Sequence, residues 1–404
     1  TGGGAMFLND AFGNTTGLKT IYNHHEQAAA MGALGYSKSI GIGVCVTTTG
    51  CGATNALTGL LDAWQDSQPV LFISGQVKKK ETTYYSGLSL RSFGVQELDI
   101  IPVVKSLTKQ AVCIGSKEEY FDCLSNLPEW LFSGRPGPVW IDIPMDVQSQ
   151  VLTTEEELLP KLDSIGWPFN KQLLPIPDQI VLDRLTEALK CSQRPVILVG
   201  NGLKLSNDGK GITLLEEYCL NQDIPIVSTY LAADFFNNSC LNYLGVAGLK
   251  AARRANISIY NSDLVISIGS RLATSVIGFE YEKFAPNAKV FVVDIDPIEH
   301  AKKTRSRMSL VQMDAFEFIG FLSSQCINAS CDENRKQWLF SCMKMKDLLP
   351  VQEQFSPNDS VSIYDVIGQI CSNYGINDTT AANMTIGGLV FLLFAYLGTK
   401  LFIG

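Results

Sequence analysis

One carboxylate in this sequence is well placed to do chemistry. Glu26 follows His24 and His25 and begins a stretch rich in alanine and glycine, residues 26–37. A carboxylate in the first turn of a helix is stabilised by the helix dipole. The small residues behind it would let the helix pack closely against a sheet or a ligand. Glu26 is therefore either a functional carboxylate or an ordinary helix-start residue.

A glycine-rich turn is the second candidate. Thr49-Gly-Cys-Gly-Ala-Thr-Asn55 lies between a strand pattern and a helix pattern, and main-chain amides at such a turn can bind an anion. The turn lacks the G-x-x-x-x-G-K-S/T spacing of a nucleotide-binding P-loop. A tight connection with Thr54 or Asn55 as the helix cap explains the same residues.

The cysteines and histidines favour neither a disulfide scaffold nor a zinc site. The chain has 11 Cys and 3 His, the cysteines are scattered, and no C-x-x-C pair occurs. Cysteines in apolar surroundings behave as small hydrophobic residues, and free thiols are typical of a reducing compartment. We therefore expect a cytoplasmic protein with reduced cysteines.

Length and charge limit the function classes. The chain has 404 residues, of which 46% are hydrophobic, so we expect a globular protein of two or three domains. The formal net charge is −8, and the longest basic run is Lys78-Lys79-Lys80. Because a negative field repels phosphate, no nucleic-acid partner is expected.

Apolar strand patterns alternate with helix-length segments. The strand patterns cover 41–48, 69–74, 138–143, 196–199, 224–227, 264–268 and 290–293. Such alternation predicts parallel sheets covered by helices on both faces. The fold class is therefore α/β, with tandem doubly wound parallel-sheet domains. The first domain is expected over 1–148 and the second over 179–330, with a linker at 149–178.

The last part of the chain is harder to interpret. Residues 331–360 are polar and without periodicity, which predicts a linker, and 361–404 are expected to begin a third domain. The 19 residues at 381–399 carry no charge, and such a run is long enough to span a bilayer. Its first half is small and polar, however, and only 389–397 is strongly apolar. We expect a buried strand and helix start here rather than an anchor, and no membrane partner.

Four motifs in this order resemble the N-terminal, pyrimidine-binding domain of thiamine-diphosphate-dependent enzymes of the acetolactate synthase type. They are HHEQAAAMGALGYSK (24–38), VTTTGCGATNALTGLLDAWQDSQPVLFISGQV (46–77), GVQELDIIPVVKSLTKQ (94–110) and SGRPGPVWIDIPMDVQ (133–148). The opening GGGAM (2–6) resembles the glycine loop after that domain's first strand. Four further segments resemble the family's central Rossmann-like domain: Gly200-Asn-Gly202, IPIVSTYLAAD (224–234), IGSR (268–271) and VDIDPIE (293–299). More weakly, 361–404 resembles the start of its diphosphate-binding domain.

The resemblance implies roles for individual residues. In the family, a Glu at the position of Glu26 hydrogen-bonds N1′ of the cofactor's aminopyrimidine, and the ring then activates thiazolium carbon C2 for attack on a 2-oxo acid. Gln96 matches a glutamine that faces the active site, so the implied catalytic residues are Glu26 and Gln96. The implied cofactor-binding residues are Gly3, Gly4, Ala5, Glu26, Gly52 and Asn55.

The resemblance also implies cofactors. Thiamine diphosphate and Mg²⁺ are expected, but the family's metal motif begins Gly-Asp-Gly and this sequence contains none. We therefore expect no metal ligand in this chain. We also expect a fragment that lacks the very N-terminus and most of the diphosphate-binding domain, and that is inactive alone. FAD, which acetolactate synthases bind in the central domain, is not expected, because Arg271-Leu-Ala-Thr-Ser275 lacks the family's acidic pair.

Two functions stay open at this point. The first is thiamine-diphosphate-dependent decarboxylation and carboligation of a 2-oxo acid, with pyruvate as the default substrate. The family's site lies between subunits, so this function implies a homodimer or tetramer formed through the pyrimidine-binding domain. The second is a degenerate, non-catalytic paralogue that acts as a binding or regulatory subunit.

Overall fold

The computed structural model describes residues 1–150, 174–236, 240–325 and 333–349. The chain divides into two compact units, of which the second begins at Leu174. Most of the linker expected at 149–178 lies outside the described residues, as do the third domain expected at 361–404 and the apolar run at 381–399.

The first unit contains a parallel sheet. Its strands are Gly43–Thr47 (β1), Val70–Gln76 (β2), Gln110–Cys113 (β3) and Val139–Pro144 (β4). They lie in the order β1-β2-β4-β3, and each neighbouring pair is parallel. The helices are Met6–Asn14 (α1), Glu26–Ile40 (α2), Cys51–Asn55 (α3), Leu57–Gln65 (α4), Thr83–Ser86 (α5), Ile101–Val104 (α6), Lys117–Phe132 (α7) and Met145–Gln148 (α8).

Helix α2 carries Glu26 in its first turn, and the local sequence explains where it begins. The His25 ring Nδ1 accepts a hydrogen bond from the Gln27 amide at 3.1 Å, which satisfies one of the unpaired donors at the helix start. The buried face of α2 includes Ala30, Ala33 and Leu34. Because Ala30 and Ala33 are small, the helix lies close to β1 and holds Glu26 near that strand's carboxyl end.

The core of the first unit lies between the sheet and its helices. Phe72 on β2 and Trp140 on β4 are both fully buried, and their rings stack with centroids 5.2 Å apart. Leu60 from α4 and Ile100 close the same cluster. A rigid core of this kind fixes the strand ends from which the site loops leave.

The second unit is built on a larger parallel sheet. Its described strands are Pro195–Val199 (β5), Ile226–Ser228 (β6), Tyr243–Val246 (β7), Leu264–Ile268 (β8), Lys289–Asp294 (β9) and Met308–Gln312 (β10). Their order is β10-β9-β8-β5-β6-β7, so the chain starts in the middle and winds out in both directions. The helices are Gln179–Cys191 (α9), Gly202–Leu205 (α10), Gly211–Asn221 (α11), Arg253–Asn261 (α12), Thr274–Ile277 (α13), Ala315–Ser324 (α14) and Glu333–Leu348 (α15).

Both faces of this second sheet are buried. Ile197 and Val199 on β5 belong to one hydrophobic cluster, and Val196 and Leu198 belong to another. Successive strand residues point to opposite faces, so the continuous apolar run of β5 serves two cores. The predicted fold class, tandem doubly wound parallel-sheet domains, is confirmed.

The structure corrects one expectation about regular structure. The polar stretch 331–360 was expected to be a linker, but α15 occupies Glu333–Leu348. Its Arg335 and Cys342 are buried, and the Trp338 indole donates a hydrogen bond to the Pro195 carbonyl at 3.1 Å. A few anchoring side chains therefore hold a mostly polar helix on the second unit. In the described ranges, no helix is both long and apolar enough to cross a membrane.

Candidate active site at the glycine-rich turn

Glu26 and Asn55 meet directly, although 29 positions separate them in the chain. The Asn55 side-chain amide donates a hydrogen bond from Nδ2 to Glu26 Oε2 at 3.1 Å. Asn55 ends the short helix α3, and the next helix, α4, has no side-chain cap. The helix-cap role considered for Asn55 is therefore wrong. The amide is committed to the carboxylate and orients it.

The surroundings of Glu26 favour its charged form. Partial burial raises the pKa of the carboxyl, but the hydrogen bond from Asn55, a main-chain hydrogen bond and positive charge nearby outweigh it, so the pKa lies below its ordinary value. Hydrogen bonds to a carboxylate stabilise its ionised state. At neutral pH the site therefore presents an oriented anion that can accept a hydrogen bond.

Gly52 makes room for this carboxylate. A side chain on Gly52 would place its Cβ 3.3 Å from Glu26 Oε1 and 2.6 Å from Thr48 Cγ2. Gly52 is itself buried, at the start of α3. Because Gly52 has no side chain, the turn can lie close to Glu26 without displacing the carboxylate.

The Gly3, Gly4 and Ala5 segment forms a 3-10 turn that packs against the glycine-rich turn at Thr49. A Cβ on Gly4 would collide with the Thr49 hydroxyl, which is held in place because it donates to the Gly75 carbonyl at 2.7 Å. Ala5 is buried, whereas a Cβ on Gly3 would meet no atom within 4 Å. Gly3 thus borders open space, whereas the packing leaves no room for a side chain at Gly4.

Gln96 contacts the same turn at Gly50, through its main chain. Its backbone adopts a positive φ of 56°, which is unusual for a residue with a side chain. Its carbonyl oxygen lies so close to Gly50 that a Cβ there would collide with it. The Gln96 side chain is exposed. The structure therefore brings the segments of Glu26, Gly4 and Gln96 to one glycine-rich turn, 48–55.

Three supporting residues were missed by the sequence reasoning. Thr49 fixes the Gly4 contact, and the Gln148 amide donates to the carbonyls of Gly4 at 2.7 Å and Ile143 at 2.6 Å. Gln76 bonds the loop of Gln96 through the Leu98 carbonyl at 2.8 Å. For Gln76 the sequence offered a signal in its position, since it ends strand β2 and ligands bind at the carboxyl ends of strands in parallel sheets. Gln148 ends helix α8, which follows β4 directly.

The glycine turn of the second unit is closed. The Gly202 amide donates to the Gly269 carbonyl at 2.9 Å, and the Gly200 amide donates to Ile268 at 2.8 Å. These amides are occupied by the neighbouring loop and do not form an open phosphate cradle. Across the described ranges, no three His, Cys, Asp or Glu side chains cluster as metal ligands would.

Comparisons with known proteins agree with this arrangement. Residues 1–109 match the family model described as thiamine pyrophosphate enzyme, N-terminal TPP binding domain. Residues 182–319 match the model described as thiamine pyrophosphate enzyme, central domain. The two matches fall in the first and second unit respectively, and Glu26, Asn55 and Gln96 all lie within the first.

Several acetolactate synthases are similar to the chain. The probable large subunit of Methanocaldococcus jannaschii is 33% identical over 349 residues, which cover 86% of this chain and 56% of the relative. The isozyme 2 large subunit of Escherichia coli is 30% identical over 347 residues, covering 86% and 58%. The chain thus spans a little over half the length of these curated relatives. It belongs to the thiamine-diphosphate-dependent enzyme family, among proteins similar to acetolactate synthase large subunits.

Proposed function

We propose that the whole protein catalyses thiamine-diphosphate-dependent decarboxylation and carboligation of 2-oxo acids, and that Glu26 is its cofactor-activating carboxylate. The observation that carries the proposal is the hydrogen bond from Asn55 to Glu26 Oε2 beside Gly52. It supports a carboxylate held ready for a ring nitrogen, because an oriented and ionised acceptor needs no rearrangement when the ring arrives.

The residues present fit the aminopyrimidine end of the cofactor. Glu26 would accept the hydrogen bond of the ring nitrogen, while Asn55 keeps the carboxylate in place. Gly3 borders open space near the same turn, where a ring and a small substrate can be accommodated. When bound, thiamine diphosphate supplies the electron sink for breaking the bond beside a 2-oxo group.

The ionised Glu26 carboxylate is the group of this chain that would stabilise the protonated ring of the cofactor. A charged carboxylate stabilises a protonated ring nitrogen, and the lowered pKa of Glu26 keeps the carboxylate charged at neutral pH. Gln96 would border the substrate from the loop over Gly50. We assign no magnesium ligand to the described residues, because they contain no cluster of three candidate ligands.

A homo-oligomer formed through the first unit is part of the proposal. The outward face of α2 is uncharged and mostly apolar: Gly32 and Gly35 border open space, and Tyr36 and Ile40 are 57% and 62% exposed. Small residues let two helices approach closely, and exposed apolar patches mark interaction sites. A cytoplasmic location is proposed as well, since all eight described cysteines are free thiols.

The test is turnover by the native protein with thiamine diphosphate, Mg²⁺ and a panel of 2-oxo acids that includes pyruvate. We expect CO₂ release that requires the cofactor and is lost in Glu26→Gln. Glu118→Gln, the same change at an exposed carboxylate on α7, should retain the activity. If no member of the panel is turned over, the catalytic proposal is wrong and a binding or regulatory role replaces it.

A further inference from the structure

A row of polar side chains crosses the carboxyl end of the first sheet. Thr47, Ser74, Asp142 and Cys113 are paired in register on β1, β2, β4 and β3. Paired residues point to the same face of a sheet, so the four form one layer next to the apolar layer that contains Trp140. Asp142 lies at the centre of this layer and is only 3% exposed.

The Asp142 carboxyl is held by two neighbours. The Ser74 hydroxyl lies 2.5 Å from Oδ1 and itself accepts a hydrogen bond from the Trp140 indole at 2.8 Å. The Gln76 side-chain amide donates from Nε2 to Oδ2 at 3.1 Å. A buried polar group persists in a core only when its hydrogen bonds are made, so this network fixes the orientation of Gln76.

Gln76 also holds the loop that contains Gln96. The same Nε2 donates to the Leu98 carbonyl at 2.8 Å, while Oε1 accepts from the Val77 amide at 3.0 Å. Leu98 is two residues beyond Gln96. The loop has a second anchor in Glu97, whose carboxylate accepts hydrogen bonds from Phe93 and Thr83.

We propose that Gln76, oriented by Asp142, is a positioning residue that fixes loop 93–98 above Gly50 and thereby places Gln96 at the candidate site. The unusual backbone of Gln96, with φ 56°, persists only where surrounding contacts determine it. Gln76 supplies such a contact from inside the sheet. The inference rests on the proposed function in one respect, namely that Gln96 faces the substrate. The contacts that hold the loop do not depend on that function.

The first test is amide hydrogen exchange at Phe93 and Glu97 in the full chain, without cofactor. Gln76→Met removes all three hydrogen bonds of the Gln76 side chain and should speed exchange at these amides by about tenfold, while exchange in β1 stays unchanged. Gln148→Met, the same substitution at the amide that holds Gly4, should leave both amides unchanged. Asp142→Asn should protect the loop as the native residue does, because an amide can bond both Ser74 and Gln76.

Unchanged exchange at Phe93 and Glu97 in Gln76→Met overturns the proposal, and so does an equal acceleration in β1. If Gln76→Met does not fold, Gln76→Asn replaces it, because the shorter side chain keeps an amide but cannot reach both partners. The same outcomes then apply.

A second test uses turnover of pyruvate by the native protein. Gln76→Met should lower kcat by about tenfold or more with its melting temperature within a few degrees of wild type. Lys336→Ala, at an exposed position of the second unit, should keep kcat. An unchanged kcat in Gln76→Met contradicts the positioning role. Absence of turnover in the wild type would instead contradict the proposed function. Amide exchange would still show whether Gln76 fixes loop 93–98.

Discussion

At the scale of single residues, the glycine-rich turn is a surface on which three distant segments meet. Gly50 faces the Gln96 carbonyl, Gly52 faces Glu26, and Thr49 faces Gly4. The sequence predicted Glu26, Gln96 and the glycines as site residues through family motifs. It did not predict the bond between Asn55 and Glu26, because a contact across 29 positions depends on how α2 and α3 pack, and local spacing does not encode that.

The two glycines of the N-terminal turn should respond differently to alanine. In Gly4→Ala the new methyl collides with the fixed Thr49 hydroxyl, so we expect a loss of about 1–3 kcal/mol in the free energy of unfolding. Gly3→Ala is the matched control and should change it by less than about 0.5 kcal/mol. Urea unfolding measures both. Equal stability of the two variants would show that the turn does not pack as described.

At the scale of elements, most strands were predicted within one or two residues, since their cores are continuous apolar runs such as 264–268. Strands β3, β7 and β10 were missed, and all three lie at sheet edges. Strands β3 and β10 are mostly half-buried, which weakens the apolar pattern, whereas β7 is buried but has only four residues, one of them a glycine. Helix α15 was missed because only two of its side chains, Arg335 and Cys342, are buried. Anchoring by single residues leaves no periodic pattern.

Helix α15 gives a prediction at this scale. Arg335 is 1% exposed, and its guanidinium donates to the carbonyls of Leu189 and Ser192 at the end of α9. Arg335→Ala should therefore lower the free energy of unfolding of the second unit by about 2–4 kcal/mol. Lys336→Ala, at the exposed neighbouring position, should change it by less than about 0.5 kcal/mol. Thermal unfolding would contradict the anchoring role if both variants melted alike.

The central layer of the first sheet predicts a pH dependence. Burial raises the pKa of Asp142 to about 7, against hydrogen bonds from Ser74 and Gln76 that lower it; Asp99 and Glu97 add to the rise, and the Cys113 thiol also faces the carboxyl. The native state then holds a proton that the unfolded chain releases above about pH 4. Stability should fall as pH rises from 4 to 7, by up to about 1.4 kcal/mol per pH unit.

Asp142→Asn isolates this effect, because an amide does not titrate. Its unfolding free energy should be flatter than that of wild type between pH 4 and 7, measured by urea unfolding at several pH values. The exposed Asp10 on α1 provides the control, and Asp10→Asn should follow the wild-type curve. Parallel curves for wild type and Asp142→Asn would mean that Asp142 is not the titrating group.

At the scale of the whole molecule, the proposed oligomer can be tested without disturbing the fold. A side chain at Gly32 would meet no atom within 4 Å, and replacing a helical glycine favours the helix. Gly32→Arg should therefore remain folded but reduce the mass measured by sedimentation to that of a smaller species. Gly320→Arg makes the same change at an open helical position in the second unit, and should keep the wild-type mass. Unchanged mass in Gly32→Arg would exclude α2 from the interface.

Proton exchange at C2 of thiamine diphosphate bound to the native protein, followed by NMR in heavy water, tests whether Glu26 activates the cofactor. If the Glu26 carboxylate activates the cofactor, Glu26→Gln should slow exchange by at least about 100-fold with melting temperature unchanged. Glu118→Gln should exchange at the wild-type rate. Exchange in Glu26→Gln as fast as in wild type would show that Glu26 does not activate the cofactor.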